Sequence, residues 1–126
     1  MNILKSILIL KLIVVSVAAI GQTPVFVSGN DGYKSFRIPA IVATPAGDLL
    51  AFAEGRVGGS GDFGDIDIVM KRSKDSGKSW SGIQVVADYN DLQAGNPAPV
   101  MDLTDPAFPK GRLFLFFNTG NNHEGE

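Results

Sequence analysis

Apolar and polar side chains alternate along most of the chain, with the period of two that is typical of β-strands. Phe36, Ile38, Ala40 and Val42 begin this pattern, and no helical period is sustained after Val25. The pattern predicts six strands, at residues 36–43, 49–53, 66–70, 83–87, 96–102 and 113–118. Short strands at roughly regular spacing, with turns between them, indicate an all-β fold in which the strands form a meander. Four strands followed by the start of a second set are typical of β-propeller blades.

Turn chemistry separates these strands. Residues 44–48 read Thr-Pro-Ala-Gly-Asp, in which proline presets φ and glycine supplies the positive φ that follows. The segment from Gly55 to Gly64 is rich in glycine, which suits a loop that approaches a ligand or closes over it. The last predicted strand, 113–118, is almost wholly apolar, and we expect it to be buried on both faces.

The first 21 residues differ in composition from the rest. Lys5 precedes an apolar stretch at 7–20, and small residues such as Ala18 and Ala19 offer cleavage sites. This pattern predicts a secretory signal peptide, a mature domain at 22–126, and a protein that is secreted, periplasmic or held at the cell surface. An uncleaved membrane anchor or a buried helix is the alternative. The unbroken apolar run after Lys11 is shorter than the ~20 residues that span a bilayer.

Composition excludes several kinds of site. The 126 residues contain no cysteine, which excludes disulfides, thiolate metal sites and a cysteine nucleophile. The one histidine, His123, allows no His–His metal motif and would have to serve in any Ser-His-Asp triad. A formal charge of -2 gives no electrostatic footprint for nucleic acid. We expect neither a cofactor nor a resident metal.

Three short motifs resemble known sites but lack their context. Residues 59–64 spell G-x-G-x-x-G, yet a dinucleotide site needs a helix directly afterwards, and the next residues predict a strand. Residues 77–79, Gly-Lys-Ser, match the last three positions of the phosphate-binding loop motif, but Arg72 occupies the position where that motif requires its first glycine. Asp62, Asp65 and Asp67 lack the spacing of an EF-hand, which leaves an irregular calcium site open.

Residues 73–80, Ser-Lys-Asp-Ser-Gly-Lys-Ser-Trp, resemble the Asp-box S-x-D-x-G-x-T-W, with serine in place of threonine at position 79. Asp75 can cap N–H groups of its own turn, Gly77 can take the left-handed conformation, and Trp80 can pack beneath the hairpin. In families that carry it, the box joins strands of a propeller blade away from the active site. We therefore expect a structural role for Asp75.

A series of motifs gives a more specific resemblance. The chain contains F-R-I-P at 36–39, A-E-G-R at 53–56 and D-x-G-D-I-D-I-V at 62–69, then the Asp-box and G-N-P-x-P-V at 95–100. In this order they resemble the amino-terminal part of bacterial-type exo-α-sialidases, or neuraminidases, from about residue 33 onward. The resemblance implies a six-bladed β-propeller, of which this chain holds one to two blades. It also implies hydrolysis of terminal α-linked sialic acid from glycoproteins, glycolipids or oligosaccharides.

The resemblance assigns a substrate-binding role to Arg37. Three arginines of the family bind the carboxylate of sialic acid, and the arginine of R-I-P corresponds to Arg37. A guanidinium can hold a carboxylate through two parallel hydrogen bonds, which lysine cannot reproduce. An arginine on an otherwise apolar strand is costly without an anionic partner. The alternative is a structural ion pair with a neighbouring acid such as Asp65.

The resemblance also implies a proton donor on the loop after the second strand. This aspartic acid corresponds to Asp62, with Asp65 as the runner-up. A donor that works near neutral pH needs a raised pKa, which we expect from desolvation by the bound sugar. Arg56 and Asn96 correspond to family positions near the sugar. Glu124 corresponds to a position where an acidic partner of the first arginine, or a contact to the glycerol group, is sometimes found.

The family's nucleophile is a tyrosine activated by a glutamate, in a retaining mechanism. Tyr33 and Tyr89 do not match that motif. The family's tyrosine, glutamate and two further arginines lie later in its sequence, so we expect this chain to be an incomplete amino-terminal piece. Because an open propeller leaves strand edges and core exposed, we expect the 126 residues alone to lack hydrolase activity and to aggregate.

Two other functions remain open. A non-catalytic glycan-binding propeller would keep Arg37 but would not need Asp62. A structural Asp-box repeat protein would need neither residue for a sugar.

Overall fold

The computed structural model describes residues 21–120, which form six β-strands. The predicted signal peptide, apart from Gly21, lies outside the described residues, as do His123 and Glu124. The strands are β1 (Ser35–Ala43), β2 (Leu49–Arg56), β3 (Ile66–Ser73), β4 (Gln84–Ala87), β5 (Gln93–Asp102) and β6 (Arg112–Gly120). The all-β prediction is confirmed. Within residues 21–120, no helix is long and apolar enough to cross a membrane.

The strands form a meander and a hairpin that share one sheet. Strands β1 to β4 pair in sequence, each antiparallel to the next. Strands β5 and β6 form a second antiparallel pair. One parallel contact, Ile66 with Gln93, joins β3 to β5. This order matches the prediction of one four-stranded unit followed by the start of another.

Strand β2 is longer than predicted and runs through Gly55 to Arg56. Gly55 pairs with Phe36 on β1 and with Asp67 on β3, so the ladder continues past the point where glycine was expected to end it. The ring of Tyr33 lies against Gly55 in the space that a Cβ would take. The connecting loop therefore begins at Val57, and it occupies residues 57–65.

The core lies on both faces of β2 and β3. One buried cluster contains Tyr33, Ala53 and Val69, with Phe26, Phe36 and Ile83 packed at its margin. The other contains Phe52, Ile68 and Ala94, which brings β5 against the first four strands. Because β2 and β3 are buried along most of their length, side chains at the loop end of these strands are held by a rigid base.

Strand β6 is not buried on both faces, and that prediction is wrong. Leu113, Leu115 and Phe117 pack inward. Phe114 and Phe116 point to the other side and are 39% and 61% exposed. Within residues 21–120, the core packs against only the face that carries Leu113, Leu115 and Phe117.

The turn between β3 and β4 has the interactions expected of residues 73–80. Asp75 accepts hydrogen bonds from the Ser79 amide at 2.9 Å and the Ser79 hydroxyl at 2.6 Å. Gly77 has a φ of 86° and donates its N–H to the Ser73 hydroxyl at 2.8 Å. The bonds from Ser79, together with one from Ser73, lower the pKa of Asp75 to about 2. Trp80 is half-buried. The described hydrogen bonds of Asp75 therefore lie within the turn, as a structural role requires.

Candidate functional site

Two strands carry the same backbone irregularity at one end of the sheet. The register of β1 shifts between Arg37 and Ala40, and that of β5 shifts between Gly95 and Ala98. In each shift the residue before a proline has a positive φ, 52° at Ile38 and 54° at Asn96. A β-branched residue rarely adopts this conformation, and such strain costs roughly 1–3 kcal/mol. The bulges turn neighbouring side chains toward a shared space.

That space is a cleft of about 230 Å³. Its walls come from β1, β2, β5 and the 57–65 loop, and they are formed by Arg37, Ile38, Glu54, Arg56, Asp62, Gln93 and Asn96. Four of these residues, Arg37, Arg56, Asp62 and Asn96, are predicted site residues. The sheet therefore brings them together from positions up to 59 residues apart in the sequence.

Arg37 and Asp62 form an ion pair at the mouth of the cleft. Arg37 Nη1 donates to Asp62 Oδ1 at 2.5 Å, and the two side chains are 45% and 63% exposed. The structural alternative for Arg37 was an ion pair with a neighbouring acid such as Asp65, and the acid that pairs with it in the structure is Asp62. Because both groups are open to solvent, an exposed pair of this kind contributes little to stability and can exchange partners.

Arg56 is buried below this pair, with only 3% of its side chain exposed. Its Nη1 donates to the carbonyl oxygens of Ser60 and Gly61 at 2.7 and 2.6 Å, and to Asp62 Oδ1 at 2.7 Å. Its Nε and Nη2 donate to Glu54. All three nitrogens of the guanidinium are thus engaged within the protein. A direct contact between Arg56 and a sugar stays a prediction.

Glu54 was not identified from the sequence. Its carboxylate is 1% exposed, and it accepts hydrogen bonds from Arg56 and from the Asn96 backbone N–H. The spacing of the sequence could have indicated its contact with Arg56. Residues two apart on a strand share a face, and Glu54 and Arg56 are two apart. Gln93 was missed for a simpler reason: it lies just before the predicted start of its strand.

The pKa of Asp62 lies below its ordinary value. The hydrogen bond from Arg56 is the main cause, and the positive charge of Arg37 adds to it. This direction is opposite to the raised pKa expected of a proton donor. The reason is that Asp62 is exposed and held by two cations, whereas the expectation refers to a carboxyl desolvated by sugar.

Asp65, the runner-up for the proton donor, is half-buried and does not line the cleft. Its pKa is raised, first by burial and then by the charges of Asp88 and Asp91. This direction is the one expected of a proton donor, but the position of Asp65 does not bring it to the cleft. Position favours Asp62, which lies between both arginines.

The structure also bears on the short motifs that lack the context of a known site. The G-x-G-x-x-G segment at 59–64 is followed by strand β3 rather than a helix, as predicted. Asp67 is turned inward and accepts a hydrogen bond from the Tyr33 hydroxyl at 2.6 Å. Among residues 21–120, no group of three or more acidic or histidine side chains is arranged to hold a metal ion.

Comparison with known proteins gives a consistent set of relatives, although no family model matches the chain. An exo-alpha-sialidase of Aspergillus fumigatus is 39% identical over 102 residues, which are 76% of this chain and 24% of the relative. A sialidase of the bacterium Micromonospora viridifaciens is 40% identical over 95 residues, 71% of this chain and 14% of the relative. The relatives are thus fungal as well as bacterial.

A solved structure supports the same grouping. The Hadza microbial sialidase Hz136 is 30% identical to the chain, and the two superimpose with a TM-score of 0.53 over 57% of this chain and 16% of the other. The six-stranded sheet corresponds to one to two blades of a sialidase β-propeller. The chain spans about a quarter or less of the length of these relatives. By sequence and by fold, it is a homologue of a segment of the exo-α-sialidases.

Proposed function

We propose that this chain supplies part of the active site of an exo-α-sialidase that removes terminal sialic acid from glycans. The observation that carries the proposal is the convergence of Arg37, Arg56, Asp62 and Asn96 on one cleft. The names of the relatives support the same reaction. We propose further that the protein is exported by its amino-terminal segment, which amino-terminal sequencing of the secreted product would test.

The substrate's carboxylate is the natural competitor for Arg37. It would replace Asp62 as the partner of the exposed guanidinium, because a planar fork binds a carboxylate through two parallel hydrogen bonds. Asp62 would then lose the nearby charge of Arg37 and become covered by the sugar. Both changes raise the pKa of a carboxyl group, so binding itself would prepare Asp62 to donate a proton to the leaving oxygen.

The proposal includes a retaining mechanism with a tyrosine nucleophile, as the resemblance implies. A neutral nucleophile suits a substrate that carries its own negative charge. Neither described tyrosine is placed for this role. Tyr33 is buried and bonded to Asp67, and Tyr89 packs beside Phe117, and neither lines the cleft.

The test is turnover of sialosides by the full-length gene product and its Asp62→Asn variant. General acid catalysis typically contributes a factor of about 10²–10⁴, so the variant should lose that much of kcat on natural glycans. Aryl sialosides with good leaving groups need little protonation and should lose far less. Asp65→Asn is the matched comparison from the same loop, and it should keep its rate on both substrates.

Three outcomes would count against the proposal. A wild-type protein that binds sialosides without turnover would support a glycan-binding propeller. A larger loss in Asp65→Asn than in Asp62→Asn would move the donor to Asp65. We expect Arg37→Lys to weaken the affinity for sialic acid by about tenfold to a hundredfold. An unchanged affinity would show that Arg37 does not bind the carboxylate.

A further inference from the structure

Glu54 is an unusual residue for its position. It lies on β2 between strands β1 and β3, paired with Arg37 and Ile68, and its side chain is 1% exposed. Residues 51–53 before it are buried and apolar or small. A carboxylate in such a place is costly unless its hydrogen bonds are satisfied. The structure shows what satisfies them.

One oxygen of Glu54 orients Arg56. Oε2 accepts from Arg56 Nε at 3.0 Å and from Nη2 at 2.5 Å. Two bonds from one edge of the guanidinium fix its plane, which leaves Nη1 directed at the 57–65 loop. There it meets the carbonyl oxygens of Ser60 and Gly61 and the carboxylate of Asp62.

The other oxygen of Glu54 holds the bulge on β5. Oε1 accepts from the Asn96 backbone N–H at 2.8 Å, at the residue whose φ is 54°. Gly95 makes this approach possible, because a Cβ there would lie 2.9 Å from Glu54 Oε1. The Asn96 side chain is then placed to donate to Asn118 Oδ1 at 3.0 Å.

We propose that Glu54 is a positioning residue that sets the location of Asp62 through Arg56 and the location of Asn96 directly. One buried carboxylate thereby ties the loop of the first four-stranded unit to the bulge of the next strand pair. The inference rests on the proposed function only for its effect on rate, because the placement of the loop and the bulge can be measured without turnover.

The activity test uses Glu54→Gln in the full-length gene product. This substitution keeps the size of the side chain but removes the charge that orients Arg56. A misplaced Asp62 should lower kcat on natural sialosides by about tenfold to a hundredfold, and lower it no more than threefold on aryl sialosides, with KM nearly unchanged. Asp48→Asn is the matched control, because Asp48 pairs with Arg72 at the opposite end of β2 and β3. This variant should lower kcat equally on both kinds of substrate, or leave it unchanged.

The placement test measures amide hydrogen exchange. In Glu54→Gln, exchange should accelerate at Asn96 and across residues 57–65, but not in the turn at 73–80. Gly95→Ala is a second variant, whose Cβ would lie 2.6 Å from Gln93 Nε2, 2.9 Å from Glu54 Oε1 and 3.2 Å from Asn118 Oδ1. It displaces the Glu54 carboxylate together with these two neutral amides and changes no charge, and it should show the same loss on natural sialosides. It keeps the proposal testable where Glu54→Gln does not fold.

The outcomes separate the two proposals. Equal loss on both substrate types in Glu54→Gln, or unchanged exchange in the loop, would overturn the positioning role. A wild-type protein that turns over no sialoside would remove the proposed function, and the exchange experiment would still decide whether Glu54 places the loop.

Discussion

At the scale of single residues, Tyr33 and Asp67 form a buried, hydrogen-bonded pair outside the cleft. The Tyr33 hydroxyl donates to Asp67 Oδ2 at 2.6 Å, and both residues are buried. Asp67 Oδ1 has no hydrogen-bond partner within residues 21–120. Burial raises the pKa of Asp67, the bond from Tyr33 opposes that rise, and the charges of Asp88 and Asp65 add to it. Burial therefore disfavours the charged carboxylate of Asp67, and the hydrogen bond from Tyr33 partly offsets that effect.

Tyr33→Phe should destabilise the protein, and more so at pH 7 than at pH 4. Leaving a buried carboxylate without its donor costs about 1–3 kcal/mol or more, and the cost falls when the group is protonated. The sign follows from the linkage between protonation and folding. Because the pKa of Asp67 is raised in the folded protein, the stability is present below the ordinary pKa and is lost as the pH rises through the raised pKa. Urea denaturation at the two pH values measures the difference.

Asp67→Asn supplies the control for this prediction. In the Asp67→Asn background no carboxylate remains at the site. The loss in the free energy of unfolding caused by Tyr33→Phe should then be the same at pH 4 and pH 7. Equal costs at the two pH values in the presence of Asp67 would contradict the argument.

The residues of the cleft were predictable to different degrees. Arg37, Arg56, Asp62 and Asn96 belong to short motifs, so their chemistry is visible in the sequence. Glu54 lies in the same A-E-G-R motif as Arg56, but the motif does not reveal its role, because an acid in a strand is usually at a solvated position. Its significance depends on the Asn96 amide, which is 42 residues away in sequence. No local pattern carries that information.

At the scale of elements, the strands were predicted well because the long strands each have at least one face on a core. Alternation and short apolar runs together placed all six, and the prediction failed mainly at the strand ends. It ended β2 before Gly55, since glycine in a strand is ordinarily weak. Here the ring of Tyr33 fills the space above Gly55 and Arg56 finds its partners in the next loop. Tertiary packing therefore extends the strand beyond its local preference.

Gly55→Ala should test this packing. An added Cβ would lie 2.8 Å from two ring atoms of Tyr33, which is too close for contact without a shift. Overpacking of this kind costs typically 1–3 kcal/mol. We expect that loss in the free energy of unfolding, measured by urea denaturation.

Gly58→Ala is the matched control in the neighbouring loop. Nothing lies within 4 Å of the Cβ that it would add, and Gly58 has no positive φ. Its stability should change by less than about 0.5 kcal/mol. If both substitutions cost the same, the contact with Tyr33 is not what constrains Gly55.

At the scale of the whole molecule, the outer face of the β5–β6 hairpin is apolar and open. Val100 is 50% exposed and Phe116 is 61% exposed, and Val100 pairs with Phe114 across the two strands. Contiguous apolar patches of this kind mark surfaces that other protein covers. The sequence of β6 could not reveal this, because the unbroken apolar run at 113–117 does not show which face meets the core.

The 126-residue chain should therefore self-associate in a concentration-dependent manner. Phe116→Lys should shift association to at least severalfold higher concentrations, because it places a charge in the centre of the apolar face. Sedimentation velocity across a dilution series measures the shift. Val27→Lys changes an exposed apolar residue away from this face, and it should leave association unchanged.

The prolines of the two bulges affect which molecules can enter the cleft. Pro39 and Pro97 have no backbone N–H, and each follows a residue whose φ bends its strand away from a straight ladder. A peptide that aligned itself along the free edge of β1 would find a missing donor and a kinked template, and β5 is already paired with β6. Main-chain pairing with an extended polypeptide is thereby discouraged where the arginines are concentrated, and recognition there falls to side chains.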